Sequence, residues 1–180
     1  MIYLFLAEGF EEIEALTPVD YLRRAGIEVT TVGVGGKQIT GAHHIPVVAD
    51  ITTDALDEHV PMDGVILPGG MPGTLNLEKD AKVMHFVNRA FAENKLLCAI
   101  CAAPSVLGHA GMLNGKKATC FPGFEQDLTG AQATGEPVET DANIITARGA
   151  GVAADFAFAI IAAMKDEQTA DAICRQIQSK

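Results

Sequence analysis

Basic residues are scarce in this chain. Thirteen Lys+Arg stand against 23 Asp+Glu, giving a formal net charge of −10 and a sequence pI near 4.8. That balance repels phosphate backbones, and no Lys/Arg cluster reverses it locally, so nucleic acid is not expected as a partner. Long apolar runs are missing too: none approaches the roughly 20 residues that cross a bilayer, so no membrane contact is expected. The apolar start Met1–Leu6 lacks a basic segment and meets Glu8 almost at once. It reads as a buried first strand rather than a signal peptide. Four cysteines with no secretory signal do not make a disulfide framework, and a reducing cytosol is the expected compartment.

Motifs for bound groups are equally thin. The histidines are His43, His44, His59, His85 and His109, and no spacing among them and the cysteines matches a zinc site. Gly33-Val34-Gly35-Gly36 follows a strand but leads to no helix, so it is no phosphate cradle. No cofactor and no metal are expected. Internal repeats, linkers and low-complexity segments are absent. What remains is a globular composition, 48% hydrophobic and 20% charged, that fits one domain over 1–180.

Taken in order, residues 2–7 form an apolar strand ended by Glu8-Gly9. A helix opens at Glu11-Glu12-Ile13-Glu14, with its acids at the positive end of the dipole. Thr17-Pro18 predicts a kink or a fresh start before Val19–Ala25, and Gly26 supplies the stop. The β-branched run Ile27–Val34 completes a βαβ unit, which implies a parallel sheet. Residues 38–52 suggest a hairpin or edge addition, and Leu56 and Val60 a short helix. Asp63–Leu67 is a third core strand running into the turn-rich Pro68–Gly73, where an open α/β sheet places ligands. Apolar spacing makes 81–92 a helix. Beyond the next strand, Lys116–Phe121 reads as a short strand, 123–136 as a polar surface segment with a short helix at Phe124–Leu128, and Asn143–Ala147 as a late strand. Val152–Met164, apolar almost all round, and amphipathic Ala170–Gln178 close the chain.

The strand Leu96–Ile100 stops abruptly at Cys101 and becomes a helix whose first turn carries Pro104. Ala99 and Ala103 flank the cysteine at two residues on either side, as a nucleophile on a sharp strand-to-helix turn requires. A helix start there would favour the thiolate. The bland alternative is a buried cysteine ending a core strand. Cys98 is expected to point away from Ile100 into the strand's packing. If the strands are parallel neighbours, Ala7-Glu8-Gly9, Pro68-Gly69-Gly70 and Ile100-Cys101-Ala102 end on one edge. The N–H groups of Gly70 and Ala102 then form a candidate oxyanion pair. Glu14 becomes a candidate proton shuttle for Cys101: charged it opposes the thiolate, protonated it donates to it. Each feature also has a plain reading, a tight turn for Pro-Gly-Gly and a solvated helix-start acid for Glu14.

The segments Ala7–Ala15, Arg23–Gly26, Leu67–Gly70, Ala99–Pro104 and Arg148-Gly149 together resemble the ThiJ/PfpI superfamily. The similarity is greatest to the branch of the Parkinsonism-associated protein deglycase and its bacterial chaperone-like relatives. The resemblance implies a flavodoxin-like α/β three-layer sandwich with a mostly parallel sheet and a nucleophile elbow, usually as a homodimer. It also implies a reactive Cys101 partnered by Glu14, with the Gly70 and Ala102 amides facing the sulfur. The activities implied are a glutathione-independent glyoxalase or deglycase acting on small aldehydes or glycated proteins, and an oxidative-stress sensor and chaperone whose cysteine becomes a sulfinic acid. Cysteine peptidase and non-catalytic interaction module stand behind these. One departure is clear: relatives commonly carry a histidine before the proline matching Pro122, or directly after the elbow cysteine. Here those places hold Phe121 and Ala102. A protease triad with a histidine base is therefore not expected.

Overall fold

The computed structural model describes residues 1–179. Its centre is a seven-stranded sheet in the order β10-β11-β7-β6-β1-β2-β5. These strands are β1 (Ile2–Leu6), β2 (Val29–Gly33), β5 (Ile51–Thr52), β6 (Gly64–Leu67), β7 (Leu96–Ile100), β10 (Val138–Asp141) and β11 (Ile144–Ala147). All neighbours pair parallel except β10 with β11. Period-two alternation divides β1 between two cores. Ile2, Leu4 and Leu6 face one side, and Tyr3, Phe5 and Ala7 the other.

Helices cover both faces, which is why the central strands are apolar throughout. On the first face lie α1 (Glu12–Arg24), α5 (Ala153–Met164) and α6 (Glu167–Gln176), which bury Ala15, Leu22, Phe156, Ile160 and Ile173. On the second lie α2 (Gly73–Lys79), α3 (Ala81–Ala92) and α4 (Pro104–His109), which bury Leu77, Phe86, Val87, Val106 and Leu107. This is the parallel sheet that the βαβ pattern predicts, in the flavodoxin-like three-layer sandwich that the resemblance implies. No described helix is long and apolar enough to cross a membrane.

Several local expectations need correction. Thr17-Pro18 does not divide α1, which runs unbroken through Pro18. Proline gives up the bond to the Glu14 carbonyl, but its ring is buried on the same stripe as Ala15, Val19 and Leu22, and that packing outweighs the lost bond. The Pro-Gly-rich stretch after β6 is not all loop, because α2 begins at Gly73, directly after a cis Met71–Pro72 bond. Leu56 and Val60 lie outside any helix, with only one 3₁₀ turn at Thr53–Ala55 before them. Cys98 and Ile100 share a face and a core, as residues two apart on a strand must. Helix α5 leaves Asp155 and Ala163 exposed, although Tyr21 of α1 stacks on Phe158 at 5.6 Å.

The hairpin expected within 38–52 and the short strand expected within Lys116–Phe121 both form, but outside this sheet, and one edge strand is unforeseen. The hairpin of β3 (Gln38–Thr40) and β4 (Pro46–Val48) stands apart from it. So does the pair β8 (Lys117–Ala118) and β9 (Gln132–Ala133). The antiparallel strand β10 closes the edge from within a stretch whose polar, β-poor sequence gives little sign of a strand.

Candidate active site

The strands β7, β6 and β1 are parallel neighbours, so their C-terminal ends share one edge. That edge gathers Cys101, Pro68-Gly69-Gly70 and Ala7-Glu8-Gly9, and α1 leans Glu14 over it. Cys101 sits at φ 66°, in the left-handed region that a side chain with a Cβ rarely occupies. Two backbone bonds hold it there. Its N–H donates to the Ala147 carbonyl at 2.8 Å, and its carbonyl accepts from the Phe121 N–H at 2.8 Å. Strain of this kind persists only where the surroundings over-determine it, and here it turns the thiol out of the strand toward Glu14.

Glu14 is 1% exposed. Its Oε2 accepts the Gly69 N–H at 3.0 Å, and the Ala150 amide also faces the carboxyl and favours its charge. Burial dominates nonetheless. Loss of hydration, with Glu11 adding like-charge repulsion, pushes Glu14 up to about 7, against the pull of its contacts with Cys101 and Gly69. Its Oε1 is buried with no conventional hydrogen-bond partner, the position of an oxygen that carries a proton for the sulfur.

The thiol of Cys101 is likewise pushed up, to about 12, first by burial and then by the neighbouring Glu14. The Gly70 and Ala102 amides oppose that by facing the sulfur. The expectation that a helix start lowers this thiol does not hold. Helix α4 has only six residues, and burial with a carboxylate in contact outweighs it. The sign depends on where the proton lies. A charged Glu14 raises the thiol, whereas a protonated Glu14 donates to sulfur and favours thiolate.

The structure thus brings all four sequence-predicted residues together: Cys101, Glu14, Gly70 and Ala102. It adds Gly69, whose lack of a side chain lets the acid and the thiol meet. A Cβ there would lie 2.6 Å from both Cys101 Cβ and Glu14 Oε2. Gly70 follows at φ +89°, which turns its N–H toward the sulfur. No histidine enters. Phe121 takes the position beside the elbow, half-exposed, and His109 points instead at Glu78, its Nδ1 2.7 Å from Oε1.

Sequence reading missed Glu12. It looked like a solvated acid but is 5% exposed and binds the β3–β4 hairpin. Its Oε1 accepts the His43 N–H at 2.9 Å and the Ile45 N–H at 3.4 Å, and its Oε2 lies 2.9 Å from His43 Nδ1. Glu11, Glu12 and His43 bring their ligand atoms within 4.8 Å of one another. The set is already employed: Glu12 holds the hairpin, and Glu11 caps α1 by accepting the Glu14 N–H at 2.8 Å. No local pattern flags a contact between residues 31 apart in the chain.

Comparison with known proteins places the assembly. Residues 1–163 match the DJ-1/PfpI family. The chain belongs to that family. It is 33% identical over 162 residues to the Parkinson disease protein 7 homolog of Danio rerio, covering 88% of this chain and 86% of the other. It is also 33% identical over 152 residues to a deglycase of Pyrococcus horikoshii, covering 82% and 90%. Among solved structures, oxidized DJ-1 of Toxoplasma gondii superposes with a TM-score of 0.94 at 31% identity, covering 98% of this chain and 97% of that one. The site described above therefore sits on a DJ-1/PfpI scaffold, at the edge where its parallel strands end.

Proposed function

We propose that this DJ-1/PfpI protein is a cysteine-dependent stress-protection enzyme of the glutathione-independent glyoxalase or deglycase type. Relatives named as deglycases support the broad role. The observation that carries the reaction is the buried contact of Glu14 with Cys101, with the Gly70 and Ala102 amides on the sulfur.

The chemistry needs two groups and no external oxidant. The Cys101 sulfur bonds to the aldehyde carbon of methylglyoxal, and the thiol proton passes through Glu14 to the aldehyde oxygen, giving a hemithioacetal. The Gly70 and Ala102 N–H groups offset the negative charge that develops on that oxygen. Glu14 then takes the proton from this carbon and returns it to the adjacent carbonyl carbon, leaving a thioester beside a hydroxyl. Water cleaves the carbon–sulfur bond, releasing lactate and the thiol. One carbon is oxidised and its neighbour reduced, so methylglyoxal plus water equals lactate. A carboxyl poised at about 7 serves as base and acid in turn at neutral pH. Glycated side chains present the same aldehyde-derived carbon, and the protein works on them as a homodimer in a reducing cytosol.

Lactate formation from methylglyoxal by the pure protein without glutathione tests this reading. Cys101→Ser and Glu14→Gln are expected to abolish it. No turnover, or equal turnover by Cys101→Ser, overturns it.

A second reading draws on the same proton. A protonated Glu14 beside the sulfur is a donor for a sulfinate, through a short charge-assisted hydrogen bond. Peroxide titration followed by intact mass is then expected to add two oxygens at Cys101 before Cys98, Cys120 or Cys174. Oxidation spread evenly over the four counts against it.

A further inference from the structure

Beside the elbow lies a groove of about 430 Å³, lined by Phe121, Pro122 and residues 148–152. Its lining borders the reactive centre without including Cys101 or Glu14. The Phe121 N–H donates to the Cys101 carbonyl, and the Cys101 N–H donates to the carbonyl of Ala147, the residue before Arg148. The Ala150 amide faces the Glu14 carboxyl. Two backbone hydrogen bonds thus join the segments that line the groove to the residue that carries the thiol.

Arg148 is the one charged residue on this lining. It is exposed, and no carboxylate lies within ion-pair distance of it among the described residues. Its single side-chain hydrogen bond runs from Nη1 to the Gly135 carbonyl at a long 3.5 Å. Arg23, Arg24 and Arg89 pair with acids, whereas Arg148 and Arg175 take part in no ion pair among the described residues; of these two, Arg148 lies on the groove. The opposite wall is apolar. The Phe121 ring, 47% exposed, lies against Gly149, where a Cβ would sit 3.4 Å from its Cδ2. An apolar slot ending in a planar fork of N–H donors fits a short carbon chain that ends in a carboxylate.

We propose that the Phe121–Arg148 groove is a substrate subsite, and that it selects α-oxoaldehydes and glycation adducts that carry a free carboxylate. In this arrangement the reacting carbonyl lies at Cys101, the carbon chain lies on Phe121 and the carboxylate meets Arg148. The phenylalanine found where relatives carry a histidine then acts in binding, not in proton transfer. The subsite rests on the glyoxalase or deglycase reading for its substrates, and not for its existence.

Two measurements separate those dependencies. The first compares kcat/KM for dioxovalerate, an α-oxoaldehyde ending in a carboxylate, with that for its neutral methyl ester. Wild type is expected to favour the acid by about tenfold, the scale of one charge-assisted contact. Arg148→Gln is expected to abolish the preference through KM, and Arg148→Lys to restore part of it. The second compares alkylation of Cys101 by iodoacetate and by iodoacetamide, read by peptide mass spectrometry. The reagents differ in charge and share their chemistry, so turnover is not needed. Arg148→Gln is expected to lower the iodoacetate-to-iodoacetamide ratio severalfold. A ratio unchanged by Arg148→Gln overturns the subsite, as does an acid preference that survives it. If no α-oxoaldehyde is turned over, the catalytic reading fails, and the alkylation ratio alone decides the groove.

Discussion

Glu14 and Cys101 meet across Gly69. A single methyl group on that glycine would lie 2.6 Å from the Cβ of the cysteine and 2.6 Å from the Oε2 of the acid. Neither atom is the free end of a flexible chain, because Cys101 is held by two backbone bonds and Glu14 is buried. The Gly69 N–H also donates to the same Oε2. One residue therefore both spaces the pair and fixes the direction of the carboxyl.

Gly69→Ala is accordingly expected to separate the acid from the thiol without removing either. Overpacking of this kind costs about 1–3 kcal/mol, readable as a lower urea midpoint with an unchanged slope. Folded Gly69→Ala should lose methylglyoxal turnover as fully as Glu14→Gln. Retained turnover would show that the contact is not used in catalysis.

The titration of the pair gives a second outcome. Glu14, raised to about 7, and Cys101, raised to about 12, share protons through one contact. Below 7 both are neutral. Between the two values one proton is gone, and the remaining anion is divided between carboxylate and thiolate. Alkylation of Cys101 is therefore expected to rise as pH increases through about 7 and then to stay level until the thiol itself titrates. In Glu14→Gln the step near 7 is absent, and the rate climbs steadily toward the thiol's own titration. Stopped-time alkylation with iodoacetamide across pH 5–10, read at Cys101, distinguishes the two profiles.

Much of this site is legible in the sequence because its parts lie where apolar strands end. Ala7, Gly69 and Cys101 each terminate a run of core residues, and β1, β6 and β7 being parallel neighbours is enough to bring them together. Glu14 follows from its place one turn into the helix after β1. The contacts that set its proton affinity are not local. Burial of Glu14 depends on the whole packed edge, and it reverses the simple expectation of a helix-start thiolate at Cys101. The Glu12–His43 link joins a helix to a hairpin whose sequence carries no mark of its docking place. Pro18 misleads for the opposite reason: its local rule is sound, but burial on the α1 stripe overrides it.

The Glu12 link leads to a prediction about motion. Glu12 holds the β3–β4 hairpin through three N–H groups, two of them backbone, from a nearly buried position. Glu12→Ala leaves those backbone donors unpaired at a cost of about 2 kcal/mol. Hydrogen exchange should quicken over residues 38–48 while the β1, β6 and β7 amides keep their protection. Glu11 keeps its cap on α1, so Glu14 and Cys101 stay in place and alkylation should change little. Exchange that quickens throughout the sheet would mean that the hairpin is part of the core's cooperative unit.

The phenylalanine at 121 allows the missing histidine to be put back. Its N–H already binds the Cys101 carbonyl, so the backbone there is fixed by the elbow and not by the aromatic ring. The ring is half-exposed and lies against Gly149, and Phe121→His should therefore fold with a stability within about 1 kcal/mol of wild type. An imidazolium on this residue, whose backbone already bonds Cys101, would favour the thiolate against the burial and the Glu14 charge that raise it here. Alkylation of Cys101 at neutral pH is then expected to accelerate by about tenfold or more. The acid-over-ester preference for dioxovalerate should fall in the same variant, because the apolar wall opposite Arg148 is gone. Faster alkylation with an intact acid preference would separate the two roles and assign the groove's selectivity to Arg148 alone.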